Sequence, residues 1–316
     1  MEVSVLVPVF DEEENLRELA DELIDVLRGM GRPFEIIMVD DGSKDDSVNI
    51  ITRLSEQYEE IVGLQFVRNF GQTAALMAAI DHAKGNVLVP IDSDMQNDPQ
   101  DIPRLLEKLD EGYDLVSGWR IDRKDKRRRV YLSRLANALI SWVSGVKLHD
   151  YGCTLKAYRA NVLKPAALYG EMHRFMPIYA SWNGAKWTEI KTNHRPRRHG
   201  VSKYGMSRII KVLLDLLVVM FLEKYMTKPI YFFGIFGILS ILVSAISAGT
   251  AVYLKVFEGV SFIVTPLPLL STMTFLAGLS SILAGIIAEI LIRIYFEVQN
   301  RRPYLIKKVI QNIKER

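Results

Sequence analysis

The sequence predicts an α/β protein: a mostly parallel sheet with helices on both faces, followed by an interfacial amphipathic helix and two transmembrane helices. Three observations predict it. Short apolar runs such as Ile36-Ile37-Met38-Val39 show no polar alternation, which marks strands buried on both faces. These runs alternate with helical segments at regular intervals, the pattern of a parallel sheet covered by helices. Ile230 to Leu254 and Gly259 to Ala288 contain no charged residue, and about 20 apolar residues suffice to cross a bilayer core.

Taken in order, Val3–Val9 reads as a first strand, ending at Asp11 and Glu12. Glu13 to Arg28 places Leu16, Leu19, Leu23 and Leu27 at helical spacing. Phe34–Val39 is a second strand, closed by Asp40-Asp41-Gly42-Ser43. Asp45 and Ser47 suit the cap of a helix reaching Tyr58. Ile61–Val67 is a third strand, Arg68 to Gln72 a turn, and Thr73–His82 a helix. Asn86–Ile91 is a fourth strand, Gln100–Leu109 a helix and Tyr113–Ser117 a fifth strand. A helix over Tyr131–Val143 follows a charged stretch, and Asp150 to Arg159 leads into another. Trp187–Thr192 reads as a strand. Met206–Leu222 is apolar at helical period with Arg208, Lys211 and Asp215 interrupting, as in a helix lying in the membrane interface.

The expected layout is a catalytic domain over 1–205, the interfacial helix over 206–228, the two crossings over 229–298 and a basic tail over 299–316. Lys224 and Lys228 precede the first crossing, and Arg293, Arg301, Arg302, Lys307, Lys308, Lys314 and Arg316 follow the second. The loop between them holds only Lys255 and Glu258. This asymmetry predicts both termini and the catalytic domain on the cytoplasmic side of the inner membrane. Met1-Glu2-Val3 runs straight into a strand without a basic lead, so no signal peptide is expected. A net charge of +3 over 316 residues argues against a nucleic-acid partner. The one cysteine, Cys153, excludes an intrachain disulfide and fits a reducing compartment.

The chemistry gathers where three strands end in acids: Asp11, Asp40-Asp41, and Asp92 with Asp94. Ligands of such sheets bind beyond the carboxyl ends of the strands. Asp92 and Asp94, spaced i and i+2, can converge on one ion, and Gln96 adds a neutral oxygen. A hard cation, Mg²⁺ or Mn²⁺, takes oxygen ligands and leaves room for phosphate. A nucleotide diphosphate held against a metal is the expectation; a loop of solvated acids is the alternative. No Gly-x-Gly-x-x-Gly and no phosphate-loop lysine is present. Arg120 to Arg129 and Arg195 to Lys203 are basic stretches, either solvated loops or sites for anionic lipid or phosphate.

The ordered set Val7-Pro8-Val9-Phe10-Asp11-Glu12-Glu13-Glu14-Asn15, Val39-Asp40-Asp41-Gly42-Ser43, Arg68-Asn69-Phe70-Gly71-Gln72, Asp92-Ser93-Asp94-Met95-Gln96-Asn97-Asp98-Pro99, Asp150-Tyr151-Gly152-Cys153 and Ser202-Lys203-Tyr204 resembles glycosyltransferase family 2, of the GT-A fold. More narrowly it resembles the polyprenyl-phosphate glycosyltransferases. Serine stands in Asp92-Ser93-Asp94 where many relatives have alanine. The resemblance implies attack by a lipid phosphate on a nucleotide sugar, with inversion at the anomeric carbon. It also implies partners: a nucleotide diphosphate sugar, a polyprenyl phosphate of undecaprenyl or dolichyl type, the lipid bilayer, and a second copy of the chain in an oligomer.

By resemblance, Pro8, Phe10, Glu12 and Asp40 line the base and ribose, and Asp41, Gln72 and Asp92 complete the donor site. Asp92, Asp94 and Gln96 hold the metal. Arg120 and Arg134 match phosphate-binding arginines of the family, with Arg197, Arg198 and Lys203 as second choices for the lipid phosphate. Asp150 is the candidate for orienting the sugar or the attacking phosphate, with a helix cap as its alternative. The sugar is not legible; UDP-glucose heads the expectation, followed by GDP-mannose and UDP-N-acetylhexosamine. A processive synthase is disfavoured, because no Gln-x-x-Arg-Trp motif is present. A tethered transferase with another acceptor and a non-catalytic nucleotide-binding scaffold stay open.

Overall fold

The computed structural model describes residues 2–121, 137–138, 140–142, 144–164, 172–196, 218, 221, 225 and 228–298, with only the backbone at 293 and 295–298. Most of the expected interfacial helix, the basic tail and most of the helix over Tyr131–Val143 lie outside the described residues. The chain divides into two packed units, 1–220 and 221–316.

The first unit is built on seven strands: β1 (Val3–Val9), β2 (Phe34–Asp40), β3 (Ile61–Gln65), β4 (Val87–Pro90), β5 (Leu115–Arg120), β6 (Lys156–Arg159) and β7 (Trp187–Thr192). Their order in the sheet is β3-β2-β1-β4-β6-β5-β7. β1, β2, β3 and β4 run parallel, with Val5 opposite both Ile36 and Val89. β6 is antiparallel to both of its neighbours, and β5 pairs parallel with β7. The sequence reading placed no strand at 156–159. Four residues flanked by Lys and Arg give no apolar run long enough to see, yet the antiparallel insertion leaves the sheet mostly parallel.

Helices α1 (Leu16–Gly29), α2 (Ser47–Gln57), α3 (Gln72–His82) and α4 (Ile102–Asp110) cover the sheet. α1 buries Leu16, Leu19, Leu23 and Leu27, the stripe its spacing dictates. It packs with α4 against Val5, Val7, Ile36 and Val89 on one face. On the other face α3 supplies Ala75, Leu76, Ala79 and Ile80 against Leu6, Ile37 and Leu88. Both faces of β1 and β2 are therefore apolar, which explains the unbroken runs. Asp98 caps the turn Pro99–Asp101 ahead of α4 by accepting from Gln100 N. Short helices α5 (Ala160–Leu163) and α6 (Met176–Trp182) complete the unit.

The second unit pairs α7 (Ile230–Phe257) with α8 (Leu267–Val298). Both are apolar and mostly unburied: 17% of the α7 window and 11% of the α8 window is buried. Side chains such as Ile235, Leu239, Leu276 and Ile287 lie exposed, a surface suited to lipid and costly in water. At 28 residues, α7 spans about 42 Å, more than a bilayer core of about 30 Å. The two backbones meet at Gly237 and Gly278. A Cβ on Gly278 would lie 2.7 Å from the Gly237 carbonyl oxygen, so the close crossing requires small residues. Ser244 Oγ donates to Ser271 O at 2.8 Å and Ser271 Oγ returns the bond at 3.1 Å. Both helices are long and apolar enough to cross a membrane, as the sequence predicts.

Candidate active site

The carboxyl ends of β1, β2 and β4 bring the predicted acids to one rim of the sheet. β1 ends at Pro8 and Val9, opposite Val39 and Asp40. Beyond it Asp11 takes a left-handed backbone, φ 49°, uncommon for a side-chain-bearing residue. Its carboxylate accepts from Lys44 N at 2.7 Å and its own N–H donates to Ser43 Oγ at 2.9 Å. Glu12 is buried and accepts from Asn15 Nδ2 at 2.6 Å. Phe10 is half-buried beside it.

At the end of β2 the two aspartates turn to the backbone. Asp40 Oδ2 accepts from Gly42 N at 3.1 Å and Ser43 N at 3.2 Å. Asp41 accepts from Phe70 N at 2.7 Å, Gly71 N at 2.9 Å and Asn69 Nδ2 at 3.0 Å. Burial raises the Asp41 carboxyl above its ordinary range while these amides pull it back. Gly42 permits the tight approach: its φ is +71° and a Cβ there would lie 2.5 Å from the Arg68 carbonyl carbon.

At β4 the first acid meets side chains instead. Asp92 accepts from Gln72 Nε2 at 2.8 Å and from Thr154 Oγ1 at 2.6 Å. Its carboxyl is pushed up to about 6, first by burial and then by the charge of Asp94, against the pull of Thr154, Arg120 and Lys156. Asp94 is buried, and its Oδ1 accepts from Gln96 N at 3.1 Å. Met95, between Asp94 and Gln96, is left-handed, φ 61°. The Gln96 carbonyl accepts from Arg195 N at 2.9 Å.

Arg120, at the end of β5, is clamped by Asp150. Nε donates to Oδ2 at 2.7 Å and Nη2 to Oδ1 at 3.0 Å, with both side chains largely buried. This is the planar two-bond fork that suits arginine and carboxylate. The pair lines a cavity of about 470 Å³ with Trp119, Asn137, Ser141 and His149. Trp119 stacks on His149, centroids 4.2 Å apart, and His149 Nδ1 lies 2.7 Å from Glu189 Oε2.

The structure thus gathers Asp40, Asp41, Gln72, Asp92, Asp94, Arg120 and Asp150 around the carboxyl edge. Arg134, Arg197, Arg198 and Lys203 lie outside the described residues. Sequence reading missed Thr154 and Lys156. Thr154 directly follows the Asp150-Tyr151-Gly152-Cys153 motif, and Lys156 is a lysine in a strand interior; those positions were the only signals.

The donor set fits a divalent cation. Asp92 and Asp94 are hard oxygen donors whose mutual repulsion Arg120 and Lys156 offset only in part. Among the described residues no group of three or more His, Cys, Asp or Glu could hold a metal. Two carboxylates suit an ion that completes its shell with phosphate and water.

The family model for glycosyl transferase family 2 matches residues 4–165. The dodecaprenyl-phosphate galacturonate synthase of Rhizobium johnstonii is 37% identical over 99% of this chain and 94% of its own length. The undecaprenyl-phosphate 4-deoxy-4-formamido-L-arabinose transferase of Edwardsiella ictaluri is 35% identical over 98% and 94%. Among solved structures, glucosyl-3-phosphoglycerate synthase from Mycobacterium tuberculosis, with Mn²⁺, UDP-glucose and phosphoglyceric acid, superposes with a TM-score of 0.53. It is 18% identical and covers 70% of this chain and 78% of that one, a likeness of fold. With the acid rim, the antiparallel sixth strand and the paired apolar helices, these matches place the chain in glycosyltransferase family 2, among its polyprenyl-phosphate glycosyltransferases.

Proposed function

We propose that this enzyme transfers a sugar from a nucleoside diphosphate to a polyprenyl phosphate, with inversion, at the cytoplasmic face of the membrane. The observation that carries the reading is the Asp92–Asp94 pair on the sheet rim, within electrostatic reach of the Arg120 that Asp150 clamps. Pro8, Phe10, Glu12 and Asp40 form the base and ribose wall, and Asp41 contributes by holding the 69–71 loop behind it. Asp92 and Asp94, with Gln96, hold Mg²⁺ or Mn²⁺ against the diphosphate. When bound, that ion acts as a Lewis acid for the departing nucleotide.

The chain's own groups do the rest. Gln72 and Thr154 fix the Asp92 carboxylate in one orientation, so little is reorganised when a ligand arrives. A phosphate monoester has a second pKa of about 6 and is mostly dianionic at neutral pH. It therefore needs no strong general base; it needs cations to offset repulsion from the donor. The Asp150 fork occupies Nε and Nη2 of Arg120 and aims the far edge of the guanidinium at an incoming phosphate. Asp150 is thus an orienting group, acting through Arg120. Arg134 and then Arg197, Arg198 and Lys203 are proposed to share that task.

The two relatives are named for galacturonate and for 4-deoxy-4-formamido-L-arabinose. Neither name supports glucose, so those sugars lead the donor panel and UDP-glucose follows. The basic flanks of the apolar helices support the cytoplasmic orientation.

The test is a panel of radiolabelled nucleotide sugars with undecaprenyl phosphate and Mn²⁺, scored for label in the organic phase. Lipid-dependent label from one donor is expected. Transfer without added polyprenyl phosphate would indicate another acceptor, and absence of any nucleotide diphosphate binding with Mn²⁺ would indicate a scaffold.

A further inference from the structure

Lys156 opens β6 in the middle of the sheet and is 3% exposed. Nothing in the transfer step uses its chemistry. A buried ammonium carries a heavy desolvation cost unless hydrogen bonds and opposite charges answer it. Here the answer is local. Its Nζ donates to the main-chain carbonyls of Cys153 and, at 3.4 Å, Tyr151. Burial holds the lysine's pKa below its ordinary value and Arg120 adds to that, while Cys153, Asp150 and Asp92 pull the other way.

Those two carbonyls belong to the turn 150–154, and both ends of that turn carry groups of the site. At one end Asp150 clamps Arg120. At the other, Thr154 donates to Asp92. The Cys153 thiol lies 3.6 Å from Leu155 O and 3.8 Å from Asn97 Oδ1, in the loop that follows Asp94. From this short turn Thr154 reaches the acid pair directly and Asp150 fixes Arg120 beside it, while the Lys156 ammonium ties together the main chain between those two residues.

We propose that Lys156 is a positioning residue: it holds the turn 150–154 against the acid pair and thereby sets the Asp92 carboxylate for a divalent cation. The inference rests on the donor reading above. Groups that orient metal ligands without touching the metal are typically worth about 10–100-fold in metal affinity.

The test uses the full chain in detergent. Mn²⁺ is titrated in the presence of UDP and free Mn²⁺ is read by electron paramagnetic resonance. Lys156→Met is expected to weaken Mn²⁺ binding about 10–100-fold, and Lys156→Arg, which keeps charge and donors, to recover most of that loss. Thr154→Val interrupts the same line of contact further on. The double variant Lys156→Met/Thr154→Val should therefore bind Mn²⁺ within about twofold of the weaker single variant. Cys153 is the sole cysteine and is buried, so its labelling by a thiol reagent reports the turn without any metal. Labelling should quicken on the order of tenfold in Lys156→Met. If Lys156→Met does not fold, Lys156→Gln, which keeps two N–H donors without the charge, is judged by the same readouts. Unchanged Mn²⁺ affinity, or single-variant losses that multiply in the double variant, would overturn the inference alone. Failure of the wild-type protein to bind Mn²⁺ with UDP would overturn the donor reading and this inference together.

Discussion

Two strand ends on one rim of the sheet, with β1 between them, carry acid pairs that look alike in sequence and differ in kind. At β2, Asp40 and Asp41 accept chiefly from backbone amides of their own and the 69–71 loops. At β4, Asp92 accepts only from side chains, and Asp94 stands close enough to raise its pKa. Fixed backbone dipoles compensate a carboxylate permanently and lock a loop. Side-chain partners orient a carboxylate but leave a charge that an ion can answer. The first pair builds the rim; the second is available for chemistry.

The largest effect expected from breaking this distinction is at Asp94. Asp94→Asn keeps the shape and removes the charge. Transfer should fall on the order of a thousandfold while thermal stability changes little. A fully active Asp94→Asn enzyme, scored by label in the organic phase, would show that the β4 pair does not hold the metal. Next comes the fork. Arg120→Met leaves the Asp150 carboxylate buried without its partner, and removing one member of such a pair costs about 3–5 kcal/mol. Adding Asp150→Leu should restore much of the lost stability without restoring transfer. Recovery of both would reduce the fork to a structural brace.

A smaller effect is expected at Gln72, the first residue of α3. Gln72→Leu removes one of the two hydrogen bonds that orient Asp92. Mn²⁺ affinity should weaken about tenfold, at the lower end of what orienting groups contribute. No change in Mn²⁺ titration would mean that Thr154 alone suffices to orient the carboxylate.

How much of this was legible before folding follows from where the information lies. The parallel half of the sheet was readable because β1 and β2 are apolar on both faces, so Val3–Val9 and Phe34–Val39 stand out as runs. The acids stood out because they end those runs. β6 was not readable: it is four residues long and opens on Lys156, whose burial is answered by carbonyls of the turn 150–154 that no local pattern announces. The partners of Asp92 were not readable either. Gln72 lies 20 residues before it and Thr154 lies 62 after, separations that no local spacing encodes. The same holds for Arg120 and Asp150, each singled out for chemistry separately and 30 residues apart. The apolar helices were legible in number and place, though not in their ends, since the second runs Leu267–Val298: lipid imposes one requirement, length without charge, that a single pass along the chain can check.

The comparison is sharpest where the expected effect is smallest. Asp41→Asn keeps one acceptor oxygen for the amides of Phe70 and Gly71 but turns a donor toward Asn69, which now donates to Asp41 at 3.0 Å. One hydrogen bond is lost from a buried set, so stability should fall by about 1–2 kcal/mol, read by thermal unfolding. Mn²⁺ affinity in the presence of UDP should stay within about twofold, because the 69–71 loop keeps its two amide contacts and the β4 pair keeps its charge. A tenfold loss of Mn²⁺ affinity at Asp41→Asn would mean that the cation draws on both strand ends. The rim would then be one continuous acidic ligand rather than a scaffold beside a site, and the division between amide-held and ion-held carboxylates would have to be abandoned.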